Sequence, residues 1–141
     1  MTLAERNFRS LRIIHIAFLF AAIAYLVVPF VAAPQSQQSP PAVMVISIGA
    51  MAFSTLAGAF FVRARLVQPA NEMLRNNPED ASAAGRWRMG VILSLVFCES
   101  VVLFGLVLRF IGASWNVCGV FYGVGIFFLV AWTPRLEFPP S

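Results

Sequence analysis

The 141 residues are 60% hydrophobic and only 11% charged, with a mean hydropathy of +0.81, which excludes an ordinary soluble globular domain and implies an all-α polytopic membrane protein. All ten basic residues are arginines, giving a net charge of +4, and no basic stripe with interleaved aromatics accompanies them, so the lipid bilayer is the expected partner and nucleic acid is not. The sequence shows no Cys/His/Asp constellation, phosphate loop or metal-ligand spacing, so neither an enzyme nor a bound metal or cofactor is expected.

In chain order, Arg6, Arg9 and Arg12 lead into a first apolar span, Leu11 to Val31, in which Pro29 is expected to kink the outer end. A signal peptide ending at "VAA", Val31 to Ala33, is the competing reading, but an apolar run of about 20 residues exceeds the usual h-region of about 7 to 15. His15 lies near the start of this span and reads as an interfacial histidine, about 9 Å short of the depth of the acid described below. An uncharged connector, "APQSQQSPP", leads to a second span, Ala42 to Val62, in which Ala50, Ser54 and Gly58 recur every four residues.

A polar loop, about residues 63–88, carries Arg63, Arg65, Arg75, Arg86 and Arg88. After Pro69, "PANEMLRNN" reads as a short interfacial helix. In "LRNNPEDASAAGRW", Asn77 is placed to cap a helix that begins at Pro78, with Glu79 and Asp80 as first-turn acids. That helix continues as a third span, Met89 to Ile111, with a small-residue stripe at Gly90, Ser94 and Cys98. A fourth span, Trp115 to Trp132, has its small residues at Gly119 and Gly123. Such stripes are expected seams between helices. Trp87, Trp115 and Trp132 mark span ends at headgroup level, and Arg135 follows the fourth span. The arginine distribution predicts an N-in, C-in topology with the 63–88 loop in the cytoplasm, in a membrane of the bacterial inner (plasma) type. Cys98 and Cys118 both fall within spans and read as small membrane residues.

One group does not suit lipid. Glu99 is the only acid in any of the four spans, and an ionised side chain at mid-span costs on the order of 3 kcal/mol on insertion scales. Such residues face the protein interior and mark a function more often than a defect. Arg109, ten residues along the same helix, is about 15 Å further out and turned by about 80°, so it cannot pair with Glu99 and is expected to reach the outer headgroups. Ser54 and Thr55, near the middle of the second span, match Glu99 in depth. With Ser100 beside it, they are the expected hydrogen-bond or ion-binding partners.

The residues from Gly49 to Ile111 resemble the c subunit of rotary ATP synthases. The resemblance rests on Gly49, Ala50, Ala57, Gly58 and Ala59 in one helix, "RNNPE" at Arg75 to Glu79 in the loop, and "RMGVILSLVFCESVVLFGLV" from Arg88 to Val107 in the other. It implies that Glu99 is an ion-carrying carboxylate for H+ or Na+, with Ser100 as a coordinating neighbour. The chain departs from the family in its two flanking spans, in the extra loop residue, and in Phe104 where members often have Tyr. Two functional expectations follow: a c-subunit-like ion-binding subunit, working as a homo-oligomer, or a structural or assembly subunit of a larger membrane complex without transport activity.

Overall fold

Long apolar segments can satisfy their backbone hydrogen bonds internally only by becoming helical. The computed structural model describes residues 3–32 and 39–134, and every regular element among them is a helix. These are α1 (Leu3–Ala32), α2 (Ala42–Val62), α3 (Gln68–Asn76), α4 (Ala81–Phe110) and α5 (Trp115–Ala131), with a π-helical turn, Arg63–Val67, joining α2 to α3 without a break. Three helices, α1, α4 and the continuous α2–α3 rod, are long and apolar enough to cross a membrane. The fourth, α5, is equally apolar but has 17 residues, about 25 Å at 1.5 Å per residue. The outward surface is itself apolar, with Phe20, Phe30, Ile46, Phe53 and Phe127 all exposed; a lipid-facing surface accounts for this, and the bundle is consistent with a membrane protein. The expectations for most of the connector, residues 33–38, and for Arg135 lie outside the described residues.

The bundle is organised around α4, against which α1, α2, α3, α5 and the π turn all pack. Contacts give the directions. Gly105, towards the end of α4, meets Cys118 to Tyr122 early in α5, and Gly125, in the second half of α5, meets Cys98 to Val102 of α4, so these helices are antiparallel. Gly58 of α2 lies against Phe97, and Gly90 of α4 against Val67, so α2 also runs antiparallel to α4. Phe30 stacks on Trp115 while the Tyr122 hydroxyl donates to the Tyr25 carbonyl, which sets α1 antiparallel to α5 and therefore parallel to α4. The bundle thus has a loop end, carrying α3 and Trp132, and a turn end, carrying Gly112 and Trp115.

The small residues of α4 form its packing face as expected: Gly90, Ser94 and Cys98 are all buried. Those of α2 and α5 are corrected. In α2, Ala50 and Ser54 are exposed, and the buried small residues are Ala52 and Ala59. A four-residue stripe drifts by about 40° per step, whereas a seven-residue spacing nearly returns to the same face, and α4 selects the latter. In α5, nothing lies within 4 Å of where a side chain would start at Gly119 or Gly123; the close approach is at Gly125, where a Cβ would stand 2.5 Å from Val102 Cγ2 and 3.0 Å from the Cys98 carbonyl oxygen.

The helix ends also sharpen the prediction. The cap of α4 is Asp80, not Asn77: its carboxylate accepts from Ser82 N–H at 2.9 Å and Ala83 N–H at 3.0 Å. Asn77 instead accepts from Glu79 N–H, and Asp80 N–H donates to the Asn77 carbonyl, so residues 77–80 form a turn and the helix begins one turn later than Pro78. At the other end Gly112, with φ 94°, reverses the chain; Gly112 N–H bonds the Arg109 carbonyl and Ala113 N–H the Leu108 carbonyl, the paired bonds of a Schellman ending. The expected interfacial helix after Pro69 is present as α3. It is not separate from α2 because the ladder widens rather than breaks: Pro69 has no N–H for the Arg65 carbonyl and its ring crowds that oxygen, and just ahead of it Gln68 N–H donates to the Arg63 carbonyl.

Candidate functional site, a carboxyl between α1 and α4

Glu99 lies past the middle of α4 and is half-buried. Its position follows from the helical period. Phe97 faces α2, where its ring lies 3.6 Å from the Cβ position of Gly58, and Cys98 faces α5 through its carbonyl. Glu99, two residues beyond Phe97, is turned by about 200° from it. It therefore projects to the opposite flank, where α1 packs, and its carboxyl faces the Tyr25 hydroxyl within interaction range.

This placement corrects the predicted partners. Ser54 is about 200° round α2 from the buried Ala52 and is exposed; its hydroxyl donates to the Ala50 carbonyl at 2.9 Å. Thr55 donates to the Met51 carbonyl at 2.8 Å, and Ser100 to the Val96 carbonyl at 2.9 Å. Each hydroxyl bonds back into its own helix, the usual solution for Ser and Thr within apolar spans. Depth alone matched Ser54 and Thr55 to Glu99, but α1 and α2 occupy opposite flanks of α4.

Tyr25 was the residue missed. It is a node for three helices: its hydroxyl faces Glu99 of α4, and its backbone carbonyl accepts from the Tyr122 hydroxyl of α5 at 3.3 Å. The available signal was that the chain has two tyrosines, each inside an apolar span, where a phenol needs a partner. A phenolic hydroxyl both donates and accepts, so Tyr25 can bond the carboxylate as donor and the carboxylic acid as acceptor. This arrangement can hold Glu99 in either protonation state.

Two further groups lie elsewhere. His15 is buried, and among the described residues its Nδ1 has no hydrogen-bond partner; it lies ten residues from Tyr25 towards the loop end of α1, about 15 Å along the helix and turned by about 80°. Arg109 reaches the turn end of the bundle: its Nη1 donates to the Ala113 carbonyl at 3.0 Å, and its guanidinium carbon stands 4.8 Å from the Trp115 ring centroid. It closes the α4–α5 turn. Among the described residues, no group of three or more His, Cys, Asp or Glu side chains could hold a metal.

Comparison with family models, with curated proteins and with solved structures finds no match to this chain.

Proposed function

We propose that this chain is an integral membrane subunit in which Glu99 takes up and releases a proton at mid-membrane depth, with Tyr25 holding the carboxyl in both states. The approach of Tyr25 on α1 to Glu99 on α4 carries this reading. A proton suits the geometry better than sodium: a hard cation takes several oxygen ligands, and the hydroxyls of Ser54, Thr55 and Ser100 are spread over separate faces and bonded to their own helices. The c-subunit resemblance supports an ion-carrying acid at this position, although its partner comes from α1, outside the resembling hairpin. In the same reading the chain has four spans, with α5 as the short fourth, and both termini and the α2–α4 loop lie in the cytoplasm of a bacterial-type membrane.

The test is labelling of the detergent-solubilised protein with a hydrophobic carbodiimide, which attacks a protonated carboxyl in an apolar setting. Modification at Glu99 that falls as pH rises, is insensitive to sodium and disappears in Glu99→Gln is the expected result. Inertness of Glu99 across the pH range would defeat the proposal.

A second reading, a structural subunit of a larger membrane complex, is favoured by one observation. Gly119 and Gly123 are unpacked and line an open apolar groove of about 530 Å³ with Leu26, Phe30, Trp115 and Phe127. Small residues beside a groove permit close approach of a further helix. Native mass spectrometry in mild detergent separates the two readings by showing a homo-oligomer or a monomer bound to other chains.

A further inference from the structure

A second polar feature lies at the loop end, unused by the proposed proton site. Where the π turn joins α2 to α3, a cavity of about 220 Å³ opens between the α2–α3 rod, α4 and the end of α5, lined by Arg63, Gln68, Asn71, Trp87, Thr133 and Pro134 among others. Trp87 on its border precedes Glu99 by about 18 Å along α4. Among the described residues, no acidic side chain lines the cavity. π-helical turns are rare and are frequently found at functional sites, and this one begins with Arg63 at the cavity edge.

The groups bordering this space offer hydrogen-bond donors. The Arg63 guanidinium lies over the Trp132 ring, 4.7 Å from its centroid; stacking of this kind leaves the N–H edge available to an anion. Among the described residues, no carboxylate pairs with Arg63. Trp87 is 1% exposed, and its one polar atom carries an N–H that can only donate. Among the described residues no acceptor meets that N–H, and Nε1 is not one of the polar atoms sealed inside the bundle. A nearly buried indole whose N–H stays open on a polar cavity is the complement of an acceptor there. Asn71 has its Oδ1 sealed away from the cavity, so its side chain can present only amide N–H groups to an occupant. Thr133 directs its hydroxyl proton to the Val130 carbonyl and does not select the ligand.

From these groups we infer that the cavity binds a phosphate group, with Arg63 neutralising its charge and the Trp87 N–H and Asn71 amide donating to its oxygens. Arg63 and Trp87 have no acceptor atom to offer, so a cation or an amine finds no partner at either. The donors arrive from three elements, the π turn, α3 and α4. The tetrahedral oxygens of a phosphate can meet all three, whereas the two coplanar oxygens of a carboxylate spread less widely. The cavity equals about seven waters of liquid volume at about 30 Å³ each, enough for a phosphate and the first atoms of an ester arm. Trp87 and Trp132 at this end mark the level at which headgroups lie in the proposed membrane orientation. A phospholipid headgroup and a free phosphate share the chemistry that the cavity recognises.

The experiment is native mass spectrometry of the full chain, delipidated in detergent and then titrated with phosphatidic acid or with diacylglycerol of the same chains, which lacks only the phosphate. Phosphatidic acid is expected to be retained roughly tenfold better, the scale of one charge-assisted hydrogen bond. Arg63→Gln should remove that preference. Arg65→Gln, the same change of charge outside the cavity lining, should keep it, and so should Glu99→Gln, which separates this site from the proton site. In the unaltered chain, the indole N–H resonance of Trp87 should move downfield as phosphatidic acid is added. Inorganic phosphate forms the second arm: an equal shift at comparable concentration assigns the site to free phosphate, and a shift with the lipid alone assigns it to a headgroup. Equal retention of the two lipids, equal loss in Arg63→Gln and Arg65→Gln, or a Trp87 resonance that neither probe moves overturns the proposal. That resonance decides the matter should Arg63→Gln fail to fold.

Discussion

Tyr25 and Glu99 show how one side-chain pair can carry both structure and chemistry. Interhelical hydrogen bonds of this kind in membrane proteins average about 0.6 kcal/mol and reach about 1.7. Tyr25→Phe is therefore expected to destabilise the bundle by about 1 kcal/mol in reversible detergent unfolding, and Glu99→Met, which has no group to pair with the phenol, by a similar amount. Because the two side chains share one contact, the double variant should cost less than the sum of the singles; strict additivity would show that they do not interact. Glu99 was legible in the sequence because a lone acid in an apolar span has no bland explanation from composition. Its partner was not. Ser54 and Thr55 matched it in depth, but only the azimuth of each helix around α4 decides which side chain at that depth is within reach.

At the level of elements, α4 and α5 approach so closely that two glycines of α5 have opposite fates. Gly125→Ala would drive a methyl into Val102 Cγ2 and the Cys98 carbonyl oxygen; because one of these is backbone, the helices must separate, and the expected cost is about 1–3 kcal/mol. Gly123→Ala meets nothing within 4 Å and should be neutral or slightly stabilising, since alanine is the better helix former. The same unfolding measurement checks both, and equal effects would contradict the packing described. Helix capping supplies an independent check. Asp80→Ala removes the acceptor of two backbone N–H groups and should cost about 1 kcal/mol, with amide exchange accelerating at Ser82 and Ala83; Asn77→Ala should leave those amides unchanged. The sequence displayed both candidate caps, and the choice fell to Asp80 because residues 77–80 close into a turn of their own.

For the whole molecule, the decisive property is its orientation. With both native cysteines buried, an introduced thiol reports alone: in intact cells, a membrane-impermeant maleimide should reach Ser39→Cys, in the connector between α1 and α2, and not Ser82→Cys at the start of α4 until the membrane is opened. The reverse pattern would invert the topology. The apolar runs, the arginines at their ends and the single acid within them are one-dimensional properties, and the sequence alone therefore determined that the chain is helical, how long its apolar helices are and that Glu99 is its unusual group. Tertiary structure decided everything that depends on rotation about a helix axis. It placed α1 and α2 on opposite flanks of α4, turned Gly125 rather than Gly119 or Gly123 into the seam, and brought Tyr25 to Glu99. The reason is that a fully apolar helix has no polar face to orient it, so its rotation is set by how closely neighbouring backbones pack and where the few hydroxyls and carboxyls find partners.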